Sequence, residues 1–428
     1  MGLRLPTVPI KAQIRRLCAA LQKRDSHECR GGLPRGPERK SWIGIMLFTS
    51  IMFTLALACG RRSEPPRTTF EGLDAFLLSN GTLELTVLSQ GSTFARVVLA
   101  DDPEKLSPLW DPTRVAREVG KEHVPESAQG HFICVDGFGS VSPDEKAAGL
   151  PSHGEAHGST FGVKFYAKEG RTTTLTLTTK LPLAQELFTR TVRMVDGENV
   201  TYVESELESL LAFDRPAFWA EHATVGPPFL APGVTVVDIS AQRAKTRPYD
   251  PENEGMPHRL PSDKDFTWPE APGLHTPKVN LRETPTELNS GDHYTCLMDS
   301  SRRLVFVTFL NPAKQLLLGY LFKPQEYPWT QSWEYYPPDG NLAHGLEFST
   351  QPFDVPRREV VQLNSMFGAP VYRWLPARKK IESHFLMFYA HTPEGMRGVD
   401  DVPLENGKII VEDQKANKQV TLSASLPI

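Results

Sequence analysis

Three short segments of the chain carry side chains able to move protons or hold a metal. The densest covers residues 149–160, where His153, Glu155 and His157 stand among glycines. Two histidines four residues apart bind zinc when a helix presents them on one face. Pro151, Gly154 and Gly158 oppose a helix there, and the glutamate is not where an HExxH zinc site needs it, so the segment reads as a loop with no metal. The second segment places His222 after an apolar stretch and before Gly226, Pro227 and Pro228. The third places Glu347 between Leu346 and Phe348. On a strand, successive side chains point to opposite faces, so Glu347 can enter a cleft while its two neighbours fill a core. Each segment alone also has a plain reading: a surface loop, a structural histidine and a solvated glutamate.

The elements that must carry these residues are strands. Residues 82–89 alternate apolar and polar behind the turn pair Asn80 and Gly81, as a half-buried strand does. Similar stretches are 93–99, 162–166, 172–179, 187–195, 199–206, 234–239, 304–310, 316–322 and 408–411. Glu204, Glu206 and Glu208 share one strand face and read as a wet surface. Residues 111–119 carry the one short helix signal. Segments heavy in proline and glycine at 101–131, 136–160, 243–291 and 323–345 read as long irregular loops, where function concentrates. Together these features imply an all-β protein, a large antiparallel β-sandwich with long loops.

Charge and hydropathy divide the chain. Residues 1–40 hold ten Lys or Arg against Asp25, Glu28 and Glu38, whereas the whole chain carries −4, so the remainder is acidic. An acidic body without a basic stripe is a poor match to nucleic acid. The apolar run 41–59 follows Arg39 and Lys40 and ends in small residues, the zones of a secretory signal. Residues 1–60 therefore read as a leader, 61–69 as a short linker and 70–428 as the sandwich domain. Ala56, Leu57, Ala58 and Cys59 resemble a bacterial lipobox, which makes Cys59 the lipidation candidate; plain cleavage and an uncleaved anchor are the alternatives. All three place the body outside the cytoplasm, periplasmic or membrane-attached through the N-terminus alone. Of five cysteines, only Cys134 and Cys296 lie in the body, and export permits them to form a disulfide. Walker loops, a dinucleotide-binding GxGxxG and a GxSxG elbow are all missing from the sequence.

In collinear order, the body resembles the aldose 1-epimerase family and the wider galactose-mutarotase-like superfamily. The matching features are the strand region 83–97 with Leu109, Trp110 and Asp111; the His153-Gly154 loop; His222 before Gly226 to Phe229; Trp268; Tyr327 to Trp329; and the Gly345-Leu346-Glu347 strand with Thr350. The resemblance implies a supersandwich with a sugar site on a concave sheet face. It also implies acid–base opening of a pyranose ring with no cofactor. Glu347 would take the proton from the anomeric O1 hydroxyl, protonated His222 would supply one to the ring oxygen, and His153 would hydrogen-bond at that oxygen. Trp268, Trp329 and Trp333 are candidates for stacking on the sugar, and Glu155, His157 and Arg96 for holding its hydroxyls. The family's arginine four residues after the loop histidine is His157 here, and Asp263 and Asp265 are the nearest choices for its substrate-binding aspartate. An exported enzyme that interconverts sugar anomers is the first expectation. The second is an exported carbohydrate-binding protein of the same fold with little or no catalysis.

Overall fold

In the computed structural model, which describes residues 64–249 and 255–428, the alternating segments pair into two large antiparallel sheets. The first has thirteen strands. It begins with Arg67–Phe70, Leu73–Ser79, Leu83–Leu88 and Phe94–Leu99, and its middle is built by His131–Val135, Trp219–Val225, Ala343–Ser349, Trp329–Tyr336 and Ser290–Met298, in that spatial order. The second has eight strands, including Leu316–Phe322, Lys380–His391, Val200–Ser209 and Glu186–Val195. Side chains from both sheets share one core, among them Leu85, Val97, Ile133 and Phe348 from the first and Leu177, Val192, Leu318 and Phe385 from the second. The resulting architecture is the β-sandwich expected from the sequence.

The expected strands lie where the alternation placed them, with ends moved by a few residues. The helix signal at 111–119 becomes Pro112–Glu118, whose first turn is capped by the Asp111 carboxylate accepting from the Arg114 N–H at 2.9 Å. Two of the segments expected to be irregular also carry strands. Residues 323–345 contain the sheet strand Trp329–Tyr336, and 243–291 contain Asp265–Thr267, Glu270–Pro272 and Lys278–Asn280. Pro328 and Pro337 bracket the first of these, so the proline density belongs to its ends and hides the alternation between them. Sheet pairing starts at Arg67, inside the stretch expected to be linker. The leader, Cys59 and the apolar run lie outside the described residues. Among the described residues no helix is long and apolar enough to cross a membrane.

Cys134 and Cys296 are free thiols. Cys296 lies in the main core, while Cys134 packs with Phe132 and Phe138 in a separate cluster on the other face of the same sheet, so the disulfide does not form.

Glu221 and His344 are two of the polar groups buried in the core. Arg190, from the eight-stranded sheet, donates to both oxygens of Glu221 at 2.5 and 2.7 Å. Glu221 also receives Trp219 Nε1 at 3.1 Å and the Tyr327 hydroxyl at 3.2 Å, and it lies 3.0 Å from His131 Nε2. Burial pushes the Glu221 carboxyl upward, but Arg190 and His131 outweigh it and hold the group below its ordinary value. The second is His344, whose ring nitrogens meet the Ser332 and Tyr336 hydroxyls, each at 2.9 Å.

Burial first, and Arg259 second, depress His344 to about 3. It is therefore neutral when folded and takes up a proton only in the unfolded chain below the ordinary histidine value of about 6.5. Its contribution is complete above that value and falls, by up to ~1.4 kcal/mol per pH unit, as the pH drops toward 3. Buried carboxyls such as Glu334, raised to about 7, pull the opposite way, so the total stability curve does not isolate the histidine. The difference between wild type and His344→Gln does. That difference should shrink as the pH falls from 6.5 to 4.5 in chemical denaturation, and a constant difference would contradict the assignment.

Candidate functional site

The register of the five middle strands sets one row of side chains across the sheet. Phe132 pairs with His222, His222 with Glu347, Glu347 with Gln331, and Gln331 with Thr295. Because side chains alternate, this row faces away from the core that Leu346 and Phe348 fill. In the next row Gly345 pairs with Trp333 and Trp333 with His293. A Cβ on Gly345 would come within 2.7 Å of Glu347 Oε1, so glycine there leaves room for the carboxyl.

A cavity of about 300 Å³ opens over these rows, lined by Trp110, Phe132, His153, His222, Trp333 and Glu347, with His293, Gln331 and Asp354 also at its wall. That volume is at the lower end for ligand cavities and suits one small molecule. All seven residues of Trp219–Val225 and of Ala343–Ser349 are buried, since one face meets the core and the other meets the loops that roof the cavity.

His222 Nε2 lies 3.0 Å from Glu347 Oε1. The two groups are in contact but out of line for a hydrogen bond, and Oε1 has no other partner among the described residues. Glu347 Oε2 accepts from Gln331 Nε2 at 3.0 Å, and the Gln331 carbonyl accepts the Asp354 N–H at 2.8 Å, which fixes the amide's orientation. Asp354 is in turn held by Arg247 Nε at 2.6 Å. His222 Nδ1 meets the Thr224 hydroxyl at 2.9 Å, and its ring stacks on Phe132 with centroids 4.2 Å apart. His153 brings its ring to 5.5 Å from that of His222. Its Nδ1 accepts the Gly139 N–H at 3.2 Å, so in the neutral ring Nε2 carries the hydrogen.

The loop that delivers His153 is locked by its neighbour. Gly154 has φ +77°, and a Cβ there would stand 1.9 Å from the Val135 carbonyl oxygen. Gly154→Ala is expected to cost about 1–3 kcal/mol through overpacking and a positive φ and to move His153. Chemical denaturation checks the first and the NMR shifts of the His153 ring the second, and unchanged stability would show that the loop tolerates a side chain there.

Burial sets the charge states. It pushes the Glu347 carboxyl well above its ordinary range, with Asp354 adding to the rise and Gln331 and Arg247 opposing it. It pushes His222 well below the ordinary imidazole value, and His153, His131 and His293 push the same way. His153 falls to about 4, again through burial and then His157. These directions run against the charged forms expected from the sequence, a carboxylate base and a protonated imidazole.

The remaining expected site residues divide. Trp333 lines the cavity, edge-on to Trp110 with centroids 5.8 Å apart. Trp329 does not: it is 0% exposed beneath Phe353, Val360 and Val371, with its Nε1 donating to the Pro370 carbonyl. Trp268 stacks on Tyr294 at 5.7 Å and packs against the main core, away from the cavity. Glu155 accepts the Leu183 and Ala184 N–H groups at 3.0 and 2.7 Å and so anchors a turn. Arg96 donates to the Lys105 carbonyl beside a different cavity. His157 stays behind the wall, 6.0 Å from the rings of Phe132 and His153. Asp263 and Asp265 pair with Lys245 at 2.8 and 3.0 Å on the surface. Gln331, Asp354, His293 and Phe138 were not anticipated; reading 329–336 as an alternating strand would have put Gln331 and Trp333 on one face.

The fold is similar to that of solved galactose-mutarotase-like β-sandwich proteins. Among solved structures, a Klebsiella pneumoniae protein provisionally assigned as an aldose 1-epimerase matches with a TM-score of 0.52 and 12% identity, over 75% of this chain and 80% of that one. A galactose mutarotase-like protein from Clostridium acetobutylicum matches with a TM-score of 0.52 and 10% identity, over 76% and 98%. At these identities the likeness is one of fold. No family's sequence profile and no curated protein matches the chain.

Proposed function

We propose that the protein opens and recloses the hemiacetal ring of an uncharged sugar, interconverting its anomers. The observation that carries this reading is the His222 and Glu347 pair, cross-strand neighbours 3.0 Å apart on the wall of a monosaccharide-sized cavity. Ring opening requires one proton to leave the O1 hydroxyl and another to reach the ring oxygen, two atoms bonded to the same carbon. Two adjacent groups able to give and take protons can serve both. Acid–base groups so placed typically contribute ~10²–10⁴-fold each.

Several features support the substrate class. Trp110, Trp333 and Phe132 supply apolar faces for a sugar ring. Among the described residues no Lys or Arg forms an ion pair with Glu347, so the carboxyl is not spent on a structural bridge. His153 and His222 are pushed toward their neutral forms, and Arg247 is paired with Asp354, so the cavity offers little to a phosphate or uronate. The leader read from residues 1–60 puts this activity outside the cytoplasm, with Cys59 as the attachment point.

Polarimetry of freshly dissolved α-glucose, α-galactose and other neutral aldoses tests the reading. At least one should equilibrate faster with protein, and glucose 6-phosphate and glucuronate should not. Sugar binding without acceleration for any aldose would favour a carbohydrate-binding protein instead.

A further inference from the structure

A second cavity, of about 270 Å³, opens on the outer face of the thirteen-stranded sheet, and one short segment borders both. Trp110 lines the first, while Leu109 and Asp111 line the second together with Phe70, Arg96, Ser107 and Pro228. A β-bulge aims Arg96 there. Val87 pairs with Phe94 and Thr86 with Arg96, so Ala95 is an extra residue in its strand. Phe94 and Val97 both fill the core, and strict alternation from Phe94 would have sent Arg96 in with it.

The polar groups of this wall have hydrogen bonds to spare. Arg96 donates to the Lys105 carbonyl at 3.0 Å and forms no ion pair among the described residues. Asp111 is 7% exposed. Its Oδ1 caps the helix at the Arg114 N–H, but Oδ2 accepts from no donor among the described residues and stands 3.9 Å from Arg114 Nε. The Ser107 oxygen accepts the Val97 and Leu109 N–H groups, each at 3.3 Å. What remains to it is its own hydrogen, for which the described residues offer no acceptor. The other charges are matched, Lys105 with Glu84, Arg114 with Glu118 and Glu104 with Lys314. An anion would meet the bare Asp111 oxygen and a cation would meet Arg96. Neighbouring hydroxyls of a neutral polyol satisfy both, one donating to the carboxylate and the next accepting from the guanidinium. Phe70, Leu109 and Pro228 offer apolar surface to the C–H face of a ring.

We propose that this cavity is a second sugar site, which binds one neutral pyranose unit. Asp111 and Arg96 hold its adjacent hydroxyls, and the Ser107 hydroxyl donates to a further sugar oxygen. Binding here requires no reaction at the first cavity, so the assignment stands or falls apart from the anomer-exchange reading.

NMR titration of the full chain with the methyl glycosides of glucose, galactose and mannose tests it, since their blocked C1 oxygen prevents ring opening. At least one should shift the Ala95 and Leu109 signals saturably. Asp111→Asn and Arg96→Met should each weaken that binding by about tenfold, the value of one hydrogen bond to a charged group. Trp333→Ala, in the first cavity, should leave it within about twofold, as expected of sites that share no side chain. Asparagine still caps the helix through its side-chain oxygen, and Arg96→Met probes the same wall without touching the cap. The proposal would be overturned if no glycoside shifted Ala95 and Leu109, or if neither wall variant weakened the binding they report. Tighter binding of methyl glucuronide than of methyl glucoside would overturn it too, by making the site one for anions.

Discussion

Replacing Glu347 with glutamine is expected to slow protein-promoted anomer exchange by roughly 10²–10⁴-fold while leaving the fold intact. Glutamine fills the same volume, and its amide can still face Gln331 and the space that Gly345 leaves open. What it lacks is a proton it can give up and take back, so the loss should fall on kcat with little change in sugar affinity. His222→Gln should show a similar loss, and the double variant should lose no more than either alone, because the two groups act as one unit. Initial rates by polarimetry check this. A Glu347→Gln variant with full activity would remove the carboxyl from the chemistry.

Glu221→Leu is expected to destabilise the protein by about 3–5 kcal/mol, the usual effect of taking one partner from a buried ion pair. Arg190 is wholly buried and depends on this carboxylate, and His131, Trp219 and Tyr327 converge on the same two oxygens. The node joins the two sheets directly behind His222, which follows Glu221 on its strand and points to the other face. Removing both charges with Arg190→Met and Glu221→Leu together should recover most of the loss, since matched apolar side chains often replace a buried pair at no net cost. Chemical denaturation of the three proteins measures this. A Glu221→Leu loss below about 1 kcal/mol would mean that the node contributes little.

The sequence carried the sheet architecture because period-two alternation is local, and it pointed to His153, His222 and Glu347 through the collinear resemblance of their segments to the aldose 1-epimerase family. It did not carry the contact between His222 and Glu347, which comes from pairing two strands far apart in the chain at one register. The tryptophans show the same limit. Trp329 and Trp333 point to the same face of one strand, yet the segment bearing Phe353 and Val371 covers the first and leaves the second open. A side chain's type does not say which later stretch will lie on it. Gln331 and Asp354 escaped notice because an amide and an aspartate acquire meaning only when their neighbours are known. The two cysteines failed to pair for a reason of parity, each lying on an opposite face of one sheet.

Exchange spectroscopy by NMR tests the central claim most directly. At equilibrium, magnetisation is transferred between the H1 signals of α and β anomers only as fast as the ring opens and recloses. With the protein present, at least one neutral aldose should give α-to-β cross-peaks on a timescale at which the sugar alone gives none. Saturating binding with exchange no faster than in buffer, for every aldose tried, would contradict the account.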